Sequence, residues 1–153
     1  MIKTIIVDID GTLMNVDHRQ GFLRKNPKNW TQWEKNMHKD TAYEDIVWLV
    51  KTLVDASGCN CVIMTGRNAR PEVMETTYNQ INKVAGLDGY YNKLYMRDAN
   101  DNRSDTVVKT ELFQKVIADG FEGPYMAIED RAQVVKMWRE LGVRCLQVKD
   151  GDY

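Results

Sequence analysis

The sequence predicts an α/β fold built on an open, five-stranded, mostly parallel sheet, and three observations lead there. Five short apolar runs alternate with segments of helical period. The runs are continuous rather than alternating, which suits strands covered on both faces. Glycines stand where the intervening helices should stop. The runs fall at residues 4–7, 61–64, 93–96, 125–128 and 143–148. Between them, apolar residues recur near helical spacing: Ile46, Leu49, Val50 and Leu53; Val73, Tyr78, Ile81 and Val84; Val108, Leu112 and Val116; Val134, Val135, Trp138 and Leu141. Gly58, Gly86, Gly120 and Gly142 close those four segments. Strand and helix alternating in this way read as a parallel sheet.

One stretch breaks the rhythm. From Leu13 to Ile46 about 30 residues carry no strand pattern, longer than a structureless connection inside a domain normally runs. Residues 30–37 are expected to form a short helix with Thr31 at its cap position. Residues 19–39 hold six Lys or Arg against one acid, Glu34, with Phe22, Trp30 and Trp33 interleaved. Such a mixture suits a nucleotide or a single-stranded nucleic-acid end, through phosphate pairing and base stacking. A lid helix whose two tryptophans pack on the body of the domain is an equal reading. The basic, aromatic insert is placed at about residues 14–45 of a single domain covering residues 1–153.

At 43% hydrophobic and 28% charged residues, the chain has the make-up of a folded, water-soluble domain. A net charge of −1 gives no global attraction to nucleic acid or membrane, so any anion binding has to be local. Cys59, Cys61 and Cys145 are odd in number, and two of them sit two apart in a strand-like run, which favours reduced core thiols over disulfides. No apolar run approaches the roughly 18 residues of a membrane span. The first run breaks at Asp8, so no secretory leader is expected and the cytoplasm is the default compartment. Met126, Met137 and Trp138 read as core. His18 and His38 lack metal-site spacing and read as solvated.

Reactive residues of parallel α/β sheets collect beyond the carboxyl ends of the strands. There the first strand ends in Asp8 and Asp10, the second in Thr65-Gly66-Arg67 and the fourth in Glu129-Asp130-Arg131; Lys109 lies early in the helix before the fourth strand. At least three carboxylates gather at that edge. Crowded like charges raise one another's pKa and cost stability unless positive charge sits among them. Lys109 and a divalent cation would supply it, and oxygen donors without His or Cys favour Mg²⁺ over Zn²⁺. The arrangement suits phosphoryl transfer, in which one carboxylate attacks phosphorus and the acid two residues on moves a proton. Gly11 lets the chain turn and brings N–H groups towards a phosphate. Each piece alone has a plainer reading: a turn for DxDG, a helix cap for Glu129-Asp130, a snorkelling side chain for Lys109, and surface charges for Arg19 and Arg67.

The motifs DIDGT, TGR, the VVK lysine and IEDR, in this order, resemble the haloacid-dehalogenase (HAD) superfamily of aspartyl-phosphate phosphatases. The longer runs SDTVVKTELF and IEDRAQVVKMWRELGVRCLQVKDGDY look like the 3′-phosphatase domain of phage polynucleotide kinase-phosphatases. That resemblance implies a Rossmann-like three-layer fold with a small helical insert after the first strand. It implies Asp8 as nucleophile, Asp10 as general acid/base, Thr65 as a phosphate hydrogen-bond donor and Lys109 as charge stabiliser. It also implies that Arg19, Gly66, Arg67 and Asp105 serve the substrate. Mg²⁺ would be held by Asp8, the Asp10 carbonyl and Asp130, with Glu129 nearby or acting through water.

The implied activity is removal of 3′-phosphates from polynucleotide ends, in the cytoplasm (a host's, for a phage-encoded protein), beside a separate kinase or ligase. Hydrolysis of free mononucleotides and non-catalytic binding of phosphorylated ends are the alternatives. The chain has Glu-Asp at 129–130 where two aspartates are common, its segment 20–45 is longer, and no G-x-x-x-x-G-K-[ST] for a kinase half occurs.

Overall fold

A computed structural model describes all 153 residues. In chain order the strands are β1 (Thr4–Val7), β2 (Met14–Asn15), β3 (Thr41–Ala42), β4 (Asn60–Asn68), β5 (Lys93–Arg97), β6 (Tyr125–Arg131) and β7 (Arg144–Gly151). Five of them form one sheet in the order β5-β4-β1-β6-β7, and every pairing within it is parallel. From β1 the chain builds outwards through β4 and β5, then returns to place β6 on the other side. The strand order therefore reverses beside β1, and the carboxyl ends of β1 and β6 flank the crevice where α/β sheets bind ligands.

The helices are α1 (Trp30–Lys35), α2 (Glu44–Ser57), α3 (Pro71–Asn79), α4 (Asp105–Ala118) and α5 (Ala132–Glu140). Alternate strand residues point to opposite faces, and both faces are covered. Ile6, Val62, Met64 and Ala127 pack with Val108, Leu112 and Val116 of α4 and with Val134, Val135 and Trp138 of α5. Ile5, Val7, Cys61, Ile63 and Ile128 pack with Val47 and Val50 of α2 and with Ile81. This is the expected three-layer, Rossmann-like HAD arrangement. Burying one such aliphatic side chain is worth about 1.5–3 kcal/mol, so these two layers fix which elements lie beside the site.

Several elements differ from the sequence expectation. β4 and β6 run past their apolar cores into the polar motifs, because the ladder with β5 and β7 continues to Asn68 and Arg131. Both ladders slip register there, between Thr65 and Asn68 and between Glu129 and Arg131. Such irregularities re-aim side chains beside functional sites. α3 ends at Asn79 and gives way to a π-helical turn, Gln80–Val84. Within α3 the buried face carries Val73 and Thr77 and leaves Tyr78 exposed, and the wider turn that follows buries Ile81 but turns Val84 out to solvent. Leu141 lies beyond α5 and is exposed. Gly58 caps α2 in the left-handed region at φ 65°, which only glycine enters cheaply.

The insert has more structure than a lid helix. β2 and β3 pair antiparallel and close its base. The cap of α1 is Asn29, whose side chain accepts from the Gln32 N–H at 3.1 Å. Thr31 lies inside the first turn, too late to cap it, and the helix stops at Lys35. The two tryptophans part company: Trp33 is buried against Val16 and Leu23, whereas Trp30 is 54% exposed with Lys28 Nζ 5.6 Å from its ring centroid. Gln80 Nε2 donates to the Met37 carbonyl at 2.6 Å, tying the insert to the end of α3. All three cysteines are free thiols, and no helix is long and apolar enough to cross a membrane.

Candidate active site

The crevice between β1 and β6 gathers a buried set of charges. Asp8 directly follows β1, and Lys109, from the second turn of α4, places Nζ 2.8 Å from Asp8 Oδ1 and 2.8 Å from Glu129 Oε2. Lys109 is almost wholly buried, so the snorkelling reading does not hold. Thr12 Oγ1 lies 3.1 Å from Asp8 Oδ2 and 3.5 Å from Asp130 Oδ1, so one hydroxyl spans the two acids. Glu129 Oε1 accepts from the backbone N–H groups of Asp130 and Arg131, just before α5 and without capping it, while its other oxygen holds Lys109.

Burial, followed by the negative charge of Glu129, pushes the Asp8 carboxyl well above its ordinary range despite Lys109. Burial also works against the charge on Lys109, but Asp8, Glu129 and Asp105 more than offset it and hold the ammonium protonated. For Asp130, burial and then Asp8 push the carboxyl up to about 7. Oxygens of Asp8, Glu129 and Asp130 all lie within 4.8 Å of one another. Three buried carboxylates facing one ammonium are short of positive charge, and the donors are all hard oxygens. The residues therefore fit a small divalent cation such as Mg²⁺, which would be held by Asp8, Asp130 and the Asp10 carbonyl, with Glu129 committed to Lys109.

Asp10 sits between two arginines. Arg67 binds it with both arms, Nε to Oδ2 at 3.0 Å and one terminal nitrogen to Oδ1 at 2.6 Å; its other terminal nitrogen donates to Thr77 and Gln80. Arg19 donates to Asp10 Oδ1 at 2.7 Å and clasps Asp40 through Nε at 2.8 Å and a terminal nitrogen at 2.6 Å. The Arg19 guanidinium lies 3.9 Å over the Trp33 ring and donates to the Trp33 carbonyl. Both arginines are buried, so the surface-charge reading fails for each. Burial acts against ionisation of Asp10, but Arg67 and then Arg19 hold its carboxyl well below the usual range. His18 is exposed, as expected, and also places a ring nitrogen 2.7 Å from Asp40 Oδ1.

A second network borders the opening. Asp105, the first residue of α4, pairs with Arg97 at 3.2 Å and with Arg131 at 3.3 Å. A Cβ on Gly66 would stand 2.0 Å from Asp105 Oδ1, so only glycine leaves room for that carboxylate. Arg97 Nε donates to the Gly66 carbonyl at 2.7 Å. Thr65 is buried, and its hydroxyl oxygen accepts from the Arg67 N–H at 3.1 Å, which leaves its proton to donate. On the other side Tyr153 places its hydroxyl 2.9 Å from Asp130 Oδ2 and 3.2 Å from the Asp10 carbonyl oxygen.

A family model for the polynucleotide kinase PNKP phosphatase domain matches residues 2–153. The chain belongs to that family. This phosphatase domain is 28% identical over 144 residues to a candidate bifunctional polynucleotide kinase/RNA ligase of Autographa californica nuclear polyhedrosis virus, covering 92% of the chain and 18% of the viral protein. Among solved structures it is similar to a chain of a Pnkp1/Rnl/Hen1 complex, with a TM-score of 0.72 and 29% identity over 100% of this chain and 47% of that one. L-2-haloacid dehalogenase from Xanthobacter autotrophicus, 14% identical with a TM-score of 0.67 over 97% of this chain and 78% of that one, shares the HAD fold. The phosphatase domain spans less than half the length of the first two relatives.

Thus Asp8, Asp10, Arg19, Arg67, Lys109, Glu129 and Asp130 converge on one crevice of the phosphatase domain, with Asp105 packed on Gly66 at its edge and Thr65 at the register slip of the neighbouring strand β4. Five contributors escaped the sequence reading. Thr12 and Arg131 stood inside the DIDGT and IEDR motifs without being singled out. Asp40 carried a faint signal, an acid closing a basic stretch just before β3. Arg97 and Tyr153 carried none, because their roles come from strand register and from where the segment after β7 folds back.

Proposed function

We propose that the chain acts as one domain, with its insert at about residues 14–45, and is a Mg²⁺-dependent phosphomonoesterase that removes 3′-phosphates from polynucleotide ends through a phosphoryl-Asp8 intermediate. The observation that carries this is the Lys109–Asp8 contact within the three-carboxylate cluster at the strand-order reversal. Asp8 attacks phosphorus: a bond forms from its carboxylate oxygen, the bond to the substrate's 3′-oxygen breaks, and that oxygen takes a proton from Asp10. Water then attacks the same phosphorus, returns a proton to Asp10, and releases inorganic phosphate and free Asp8. A bound Mg²⁺ supplies charge neutralisation for the phosphoryl group and Asp8. Lys109 holds Asp8 in place, and Thr65 donates its free proton to a phosphate oxygen.

Asp10 presents a constraint of its own. Held ionised by Arg67 and Arg19, it is ready to take a proton from water but has none to give. An incoming phosphate competes for both guanidiniums. As they turn to it, Asp10 loses its counter-charges and its carboxyl rises towards the range of a proton donor. In this reading the arginines couple phosphate arrival to the acid role of Asp10.

Exposed Trp30 with Lys28, and Lys25 near the Phe22 ring, give the insert a basic, aromatic outer surface for the strand behind the end. The viral relative's description, which names a polynucleotide kinase and an RNA ligase, makes RNA ends the first substrates to try and a kinase or ligase the partner class to seek. The deciding experiment compares kcat/KM with Mg²⁺ on 3′-phosphorylated oligoribonucleotide, oligodeoxyribonucleotide and 3′-mononucleotide. Faster turnover of the oligonucleotides supports the proposal; equal or faster turnover of the mononucleotide overturns it in favour of a nucleotidase.

A further inference from the structure

The last two residues, just past β7, fold back over the crevice, and two glycines clear the way for them. A Cβ on Gly11, at φ 82°, would lie 2.1 Å from Asp130 Oδ2 and 3.0 Å from the Tyr153 hydroxyl. A Cβ on Gly151 would lie 2.8 Å from both Asp130 Oδ2 and the Asp130 carbonyl oxygen. The ring of Tyr153 is held from two further sides. Its centroid is 6.2 Å from that of Trp33, and the Arg131 guanidinium lies 5.5 Å over it while donating to the Tyr153 carbonyl at 2.6 Å. The hydroxyl is thus delivered to one place.

That place adjoins two of the groups that would hold the cation. A phenol has one proton to give, and the nearer acceptor, Asp130 Oδ2 at 2.9 Å, is also the one that carries charge once a cation is bound. The Asp10 carbonyl oxygen at 3.2 Å therefore keeps its lone pairs for another partner. With Oδ2 engaged, the carboxylate of Asp130 cannot rotate freely. Its Oδ1 stays on the side of Thr12, whose hydroxyl also contacts Asp8 Oδ2. We infer that Tyr153 is a positioning residue of the cation site: its hydroxyl fixes the Asp130 carboxylate so that Oδ1 is presented beside Asp8. The inference rests on the proposed cation but not on the proposed substrate. Carboxylates that bind a metal are commonly oriented by such outer hydrogen bonds, whose loss weakens metal affinity about 10- to 100-fold.

The test is calorimetric titration of Mg²⁺ into the cation-free protein without substrate, for wild type, Tyr153→Phe and Tyr153→Ala. Phenylalanine keeps the ring against Trp33 and beneath Arg131 and removes only the hydroxyl. The expected result is a Kd raised about tenfold in Tyr153→Phe and at least as much in Tyr153→Ala, with the Tyr153→Phe melting temperature in chelator close to wild type. A purely packing role would lower that melting temperature without moving the Kd. An unchanged or tighter Kd in Tyr153→Phe overturns the inference, the tighter one showing that the hydroxyl competes with the cation. A wild-type protein that binds no Mg²⁺ overturns the cation reading itself, whatever its activity on phosphorylated ends.

Discussion

Lys109 Nζ lies 2.8 Å from Asp8 Oδ1, joining α4 to the end of β1 across 101 positions of sequence. The same ammonium holds Glu129, so two buried carboxylates share one positive charge. Lys109→Met removes that charge and leaves both acids unpaired, which costs about 3–5 kcal/mol of stability. Chemical denaturation should show the loss, and turnover should fall with it. A variant as stable as wild type contradicts the role given to this lysine.

Arg19 is buried between Asp40 and Asp10. Arg19→Ala leaves the buried Asp40 with only His18 at 2.7 Å and Arg67 at 3.5 Å, so this substitution should cost stability as well as turnover, by less than the about 3–5 kcal/mol of a fully unpaired buried charge. Replacing both members, Arg19→Met with Asp40→Leu, should recover much of the stability and none of the turnover. Recovery of both in the double variant would show that the pair serves packing alone.

Arg67 is the cleaner probe of phosphate binding, because its main charge partner, Asp10, is itself partly exposed. Arg67→Lys keeps the charge and loses the two-armed geometry. The expected result is a drop in kcat/KM of about 10²–10³, equivalent to about 2–4 kcal/mol of transition-state stabilisation. Near-wild-type kinetics in Arg67→Lys would mean that the fork is not used.

The sheet was legible from sequence because continuous apolar runs and helix-period stripes report burial directly. The sharp motifs were legible because DxDGT and IEDR cluster their chemistry within a few residues. What escaped follows from long-range geometry. The ladder carrying Thr65 and Glu129 past their apolar runs depends on partner strands, and the π-helical turn that exposes Val84 leaves no mark in composition. Only the family resemblance marked Arg19; by composition it is one more charge in a basic stretch until the fold brings Asp40 and Asp10 to it. The tryptophans of the insert share spacing and type, yet only Trp33 meets Val16 and Leu23.

The Asp130 carboxyl, pushed up to about 7 by burial and Asp8, gives a signed pH prediction. A native pKa above the ordinary carboxylate value of about 4 means that the folded state holds the proton more tightly. That contribution is fully present below about pH 4 and is lost as pH rises towards about 7. In chelator the melting temperature should therefore fall across that interval. Excess Mg²⁺ takes over the proton's task, so it should raise the melting temperature more near pH 7 than near pH 5. An equal gain at both pH values contradicts a cation site that includes Asp130.

The central claim is that Asp8 takes the phosphoryl group. Rapid acid quench of wild type reacting with a 3′-³²P-phosphorylated oligonucleotide, followed by reductive trapping and peptide mass spectrometry, tests it most directly. The account predicts a transient label on Asp8 that appears before free phosphate, and neither label nor turnover in Asp8→Asn. Turnover that persists in Asp8→Asn, or a label on any other residue, would contradict it.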